Sequence, residues 1–389
     1  MKRLVALFLF FVLISSSFSM VIPISAEEVD PEAKNPFEVN ACSAILMEYE
    51  TGAILFEQNA DEQLPPASIT KIMTLLLVME ALEEGRITTD ESVTTSARAA
   101  AMGGSQIFLK EGEQMSVRDM LKSVVIASAN DAAAALAEHI CGSLEAFVEK
   151  MNEKAVALGM QNTHFENTNG LDDTTVSHYT SARDVAIMSR ALVAYPLILE
   201  FSGTWMDSVR DGAFGLTNTN RLVRFYPGAT GLKTGSTSKA KFCISATAKR
   251  DDMHLIAVVM GSPTRDIRNE EAKHLLDYGF ANYALISAEE GDVGELPVLG
   301  GVQDLCRVRK NAFSLVVPKG ERAAVEEKTN LPPVLKAPIE KGEVVGSVVY
   351  TVNGKTIGVC DIYASEAVTK ISFGELILRL VRQCFCVGI

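Results

Sequence analysis

At 389 residues, with 48% apolar and 22% charged positions, the chain can bury one large core or two ordinary ones. Its net charge of −13 excludes a broad phosphate-neutralising face, and with it a nucleic-acid partner. Seven cysteines without a repeated spacing, five scattered histidines and no His-Glu-x-x-His helix exclude a disulfide framework and a metal-dependent hydrolase, so no metal or other cofactor is expected.

Residues 1–26 read as an export signal. Lys2 and Arg3 precede an apolar run from Leu4 to Ile14, and Ile24-Ser25-Ala26 ends on a small residue suited to cleavage. The run is short for a bilayer span, which favours a cleaved signal over an anchor. A polar linker over 27–40 leads to a strand at 41–48, a turn at 50–52 and a hairpin partner at 53–57. Pro65-Pro66-Ala67-Ser68 then precedes an apolar helix over 69–84 that stops at Gly85. Further helices are predicted over 117–127, 130–141, 144–158 and 182–194. Strands return at 242–249 and 253–260, followed by a helix over 268–283. Strands, a helical block, then strands and a closing helix describe an α+β fold, an antiparallel sheet flanked by helices, rather than alternating βαβ units.

Composition shifts near Ala288, dividing a domain over 41–287 from a smaller one over 288–364. The second consists of short strands broken by Gly, Pro and Asn. Asn353-Gly354, between 347–352 and 355–362, is a two-residue hairpin turn. This all-β domain carries no cluster of catalytic residue types and reads as a spacer or docking module. The tail, 365–389, is amphipathic. Ile371, Phe373, Leu376, Ile377, Leu378, Leu380, Val381 and Phe385 share a broad face, opposite Ser372, Glu375, Arg379, Arg382 and Gln383. Such a helix suits a membrane surface, and packing on the β domain is the competing reading.

Ser-x-x-Lys occurs three times, at Ser68/Lys71, Ser236/Lys239 and Ser238/Lys241. On a helix, positions i and i+3 share a face, so Lys71 can reach the Ser68 hydroxyl. On a strand an odd offset puts the two side chains on opposite faces, which handicaps the later pairs. Ser68 also starts its helix, where free N–H groups can stabilise an oxyanion. Ser128-Ala129-Asn130, the sole Ser-x-Asn, falls in a loop between two predicted helices. Lys233-Thr234-Gly235, also unique, follows a Gly-rich stretch, and its glycine permits close backbone approach at a strand edge. Taken singly, each is as well read as a helix cap or a surface turn.

In this order the three motifs resemble those of penicillin-binding proteins and serine β-lactamases. The resemblance is to the low-molecular-weight D-alanyl-D-alanine carboxypeptidases, especially those of spore-forming bacteria. It extends through 66–74, Gly103-Gly104-Ser105, 128–132, Asn169-Gly170-Leu171, the Lys-Thr-Gly block, the β domain and the tail. It implies a β-lactamase/transpeptidase-like fold, an exported peripheral enzyme, a wall stem peptide ending in D-Ala-D-Ala as substrate, and β-lactams as covalent inhibitors.

By the same resemblance, Ser68 is the nucleophile and a neutral Lys71 its base. Ser128 relays a proton to the leaving nitrogen, and Asn130 orients Lys71 and the substrate amide. Lys233 and Thr234 hold the substrate carboxylate, with Arg268 adding charge there. The N–H groups of Ser68 and Ser236 form the oxyanion hole, while Gly235 and Ser105 join the substrate-binding set. Ser236 departs from the His or Tyr that often follows Lys-Thr-Gly, which leaves substrate preference and deacylation open. A β-lactamase is disfavoured because the chain has no Leu-Asn dipeptide of the deacylating loop. A penicillin-acylated sensor or silent wall-binding protein is the alternative from another class. A Ser-His-Asp hydrolase would need a Gly-x-Ser-x-Gly elbow, which is missing.

Overall fold

The structure is a computed structural model that describes residues 36–173 and 175–385. The expected export signal and most of the linker lie outside these residues. Five antiparallel strands form the main sheet, in the order Ile54–Gln58, Ser43–Glu48, Met253–Ser262, Lys241–Arg250 and Ala229–Thr237. Ser43–Glu48 is buried throughout and Met253–Ser262 nearly so. Both lie inside the sheet with cover on each face, so their sequences read as continuous rather than alternating apolar runs.

Alternation along Ser43–Glu48 shows what the cover is. Ile45 and Met47 face the large helical core, while Leu46 and Leu255 meet Gly279 of the helix Arg265–Asn282 on the other side. At the centre of the helical core runs Lys71–Glu83, packed against Ala182–Val193, Asn130–Cys141 and Val117–Ile126. Neighbours on so many sides explain why its sequence is apolar nearly all round.

Most predicted elements differ from the observed ones by one to three residues at their ends. The helix expected from residue 69 opens instead as a 3-10 turn, Ala67–Thr70, before the α-helix begins at Lys71. A small hairpin, Met206–Val209 with Phe214–Thr217, was not expected from the sequence. The second domain holds a six-stranded sheet in the order Val325–Asn330, Val344–Val352, Lys355–Ala364, Leu305–Lys310, Gly291–Leu299 and Leu335–Lys336. Asn353 and Gly354 both take positive φ, 51° and 80°, as a two-residue hairpin turn of this hand requires.

The tail departs from its expected boundary. Within the described residues its helix, Phe373–Phe385, begins eight residues later than position 365. Val368 is fully buried in the β-domain core and bridges to Ile339, while Lys370 bridges to Gly301. Phe373, Leu378 and Leu380 are more than half exposed. On the polar side Arg379 pairs with Asp304 at 2.6 Å and also donates to the Val302 carbonyl. No single described helix is long and apolar enough to cross a membrane.

Candidate active site

The site is built where the 3-10 turn meets the sheet edge. Ala67 takes a left-handed φ of 47°, uncommon for a residue with a β-carbon, and so turns the chain into Ser68. Ser68 is partly exposed, whereas Lys71, one helical turn later, is fully buried. Lys71 Nζ lies 2.8 Å from Ser68 Oγ and donates to the Asn169 carbonyl at 2.9 Å. Burial holds the Lys71 pKa well below its ordinary value; the nearby Lys233 adds to the depression and Asp131 opposes it. A lysine of this kind can lose its proton and accept another from a hydroxyl. The other two Ser-x-x-Lys pairs fall at the end of Ala229–Thr237 and in the turn after it, where Lys239 donates to the Asp172 carbonyl.

Ser128 and Lys233 form a second pair. Ser128 also has a left-handed φ, 62°, and is nearly buried. Lys233 Nζ donates to Ser128 Oγ at 2.8 Å and to the Thr234 carbonyl at 2.9 Å. Burial, assisted by Arg268, brings the Lys233 pKa down to about 7. Thr234 Oγ1 donates to Thr219 Oγ1 at 2.8 Å. A β-carbon on Gly235 would lie 2.8 Å from Ser68 N, so only glycine lets this strand approach the nucleophile turn so closely. Ser236 follows with its side chain exposed.

One expected contact differs. Asn130 does not bond Lys71: its Nδ2 donates to the Gly103 carbonyl at 2.6 Å, leaving Oδ1 buried without a partner. Ser105 presents an exposed side chain, and its carbonyl accepts from Asn130 N at 2.7 Å. Arg268 is buried, donating to the Cys243 carbonyl and to Asn269 Oδ1, with its charge adding to the depression of the Lys233 pKa. Sequence reasoning assigned no role to the groups that fix these residues in space. The carboxylate of Asp131 accepts from the N–H groups of Ile107 and Leu109 and thereby secures the loop facing Asn130. Asn169, quoted only as part of a motif, is a direct partner of Lys71.

Two family models match the chain. One, described as D-alanyl-D-alanine carboxypeptidase, matches residues 29–264; the other, the C-terminal domain of penicillin-binding protein 5, matches 286–370. The chain belongs to the D-alanyl-D-alanine carboxypeptidase family. Relatives of this family include DacF of Bacillus subtilis, 41% identical over 97% of this chain and 98% of its own length. DacC of Escherichia coli is 37% identical over 82% of each. Among solved structures, penicillin binding protein 5 from Haemophilus influenzae superposes with a TM-score of 0.77 at 34% identity, covering 86% of this chain and 99% of that one. A DD-transpeptidase of Streptomyces K15 covers only 63% of this chain, with a TM-score of 0.58 at 28% identity.

Proposed function

We propose that this carboxypeptidase removes the terminal D-alanine of wall stem peptides through an acyl-enzyme on Ser68, working as an exported enzyme on the outer face of the cytoplasmic membrane. The observation that carries the reading is the 2.8 Å approach of a buried, pKa-depressed Lys71 to Ser68 Oγ. Ser68 Oγ attacks the carbonyl of the penultimate D-Ala while its proton passes to neutral Lys71. The N–H groups of Ser68 and Ser236 receive the oxyanion. Ser128, held by Lys233, passes a proton to the leaving nitrogen and takes its replacement from protonated Lys71, so D-alanine departs and Lys71 is neutral again. Water then cleaves the ester with the same groups. Charged Lys233, with Thr234, holds the substrate carboxylate, and the free Asn130 Oδ1 accepts a substrate N–H.

The amphipathic helix rests on the β domain through Arg379 and turns its apolar side outward, as a membrane-surface anchor would. The resemblance to the enzymes of spore-forming bacteria supports a use during sporulation.

The test is a pentapeptide ending in D-Ala-D-Ala, supplied with a diamino acceptor and followed by mass spectrometry. Loss of one D-Ala without a cross-linked dimer is expected, with slow penicillin hydrolysis. A dimer as main product overturns the reading in favour of transpeptidation. Rapid penicillin hydrolysis favours a β-lactamase, and an intact peptide a sensor.

A further inference from the structure

The segment from Phe165 to Thr180 holds none of the three motifs, yet it grips the nucleophile helix at several points. The Thr168 carbonyl accepts from Thr74 Oγ1 at 2.6 Å, and the Asn169 carbonyl accepts from Lys71. A third contact comes from His178, whose side chain is 7% exposed and packs edge-on against Phe165.

The direction of hydrogen bonding through His178 is fixed by its partners. Glu166 N lies 2.9 Å from Nδ1, and a backbone N–H can only donate, so Nδ1 accepts. The ring hydrogen of the neutral imidazole therefore sits on Nε2, which donates to Thr70 Oγ1 at 2.8 Å. Having accepted that bond, Thr70 Oγ1 donates its own hydrogen to the Ala67 carbonyl at 2.8 Å. Burial lowers the ring's pKa to about 4, which keeps this polarity near neutral pH.

The Ala67 carbonyl and the Ser68 N–H are the two ends of one planar peptide group. Fixing the carbonyl oxygen therefore fixes the direction of the N–H. Ala67 is in the left-handed region, which a residue with a β-carbon keeps only where its surroundings hold it.

We propose that His178 is a positioning residue: through Thr70 it sets the plane of the Ala67–Ser68 peptide and so aims the Ser68 N–H at the oxyanion. The proposal rests on the reading of Ser68 as nucleophile.

The experiment is rapid-mixing acylation by a fluorescent penicillin, which separates initial binding from the acylation step. His178→Asn keeps an acceptor for Glu166 N but cannot reach Thr70; His178→Gln extends a donor to where Nε2 stands. A misaimed oxyanion donor costs less than a deleted one, so His178→Asn and Thr70→Val each slow acylation by about tenfold with binding unchanged. His178→Gln and Thr70→Ser restore most of the rate. The double variant His178→Asn/Thr70→Val is no slower than the worse single one, because both break the same chain.

Wild-type acylation by His178→Asn or Thr70→Val overturns the proposal. So does an equal loss in His178→Asn and His178→Gln that tracks their melting temperatures, which would mark a merely structural histidine. Should the histidine variants not fold, the Thr70→Val and Thr70→Ser comparison decides alone. Ser68→Ala is the control: if it still labels, the nucleophile assignment fails. If it is silent while Thr70→Val matches wild type, only the role of His178 fails.

Discussion

Gly170→Ala tests how the carboxypeptidase holds its nucleophile. Gly170 has a φ of 84°, and a β-carbon there would lie 1.7 Å from the Ala67 oxygen, 2.3 Å from the Ala67 carbonyl carbon and 2.8 Å from Thr70 Oγ1. An ordinary carbon–oxygen contact is about 3.3 Å. The two segments must therefore separate by roughly 1.6 Å, or about 0.8 Å each if both yield, starting from that contact distance. Both are main chain, so no side-chain rotation relieves the clash. The Ala67 carbonyl belongs to the peptide entering Ser68, and a misplacement on the order of 1 Å costs about 100-fold in rate. The left-handed backbone adds a stability loss of about 1 kcal/mol or more.

Gly85→Ala is the matching control, since Gly85 has a φ of 69° with nothing within 4 Å. It carries the backbone cost without the clash. We expect Gly170→Ala to lose about 100-fold in penicillin acylation and Gly85→Ala to lose stability alone. Calorimetry beside the acylation assay separates the two effects. Equal acylation by both variants would refute the idea that loop 165–180 sets the nucleophile's position.

Other outcomes follow from the same geometry. Lys71→Arg retains charge but not the ability to deprotonate, so acylation falls by about 100-fold or more; near wild-type rates would mean the lysine supplies only charge. Lys233, with a pKa of about 7, is charged below that pH and loses its charge above it. The KM for a substrate carboxylate therefore rises between mildly acidic and mildly alkaline pH, and Lys233→Gln flattens that rise. Truncation after Ser372 leaves a soluble enzyme with full activity on pentapeptide. Truncation after Ser365 also removes buried Val368 and lowers the melting temperature, since that side chain contributes about 1.5–3 kcal/mol by burial. A protein cut after Ser372 that still sediments with membranes would place the anchor elsewhere.

The meeting of Ser68 with Lys71 and of Ser128 with Lys233 was legible because their motifs bring fixed residue types onto helix, loop and strand. Asn130–Cys141 was bounded correctly, with Gly142 at the left-handed C-cap as a clear stop signal. The tail boundary was not legible, because Val368 carries the same hydrophobicity whether it faces lipid or the β-domain core. Nor was the brace of the nucleophile turn. His178 is 108 positions from Thr70, and only the closed fold brings the two side chains together. The side-chain target of Asn130 depended on a rotamer that spacing does not specify.

The sheet has a consequence for the order in which the domain can form. Ser43–Glu48 lies between its hairpin partner Ile54–Gln58 and Met253–Ser262, with Ser43 opposite Met260 and Glu48 opposite Leu255. Its inner neighbour is thus one of the last strands of the catalytic domain to be synthesised. Until that strand arrives, the Ser43–Glu48 hairpin has an unpaired apolar edge, and the Lys-Thr-Gly strand, paired only with Lys241–Arg250, is not joined to it. Such long-range pairing folds slowly and late. A chain stopped before Met253 would hold Ser68 and Lys71 without the strand that ties the Lys-Thr-Gly hairpin to the rest of the sheet, so the grouping around Ser68 assembles only when the domain is nearly complete.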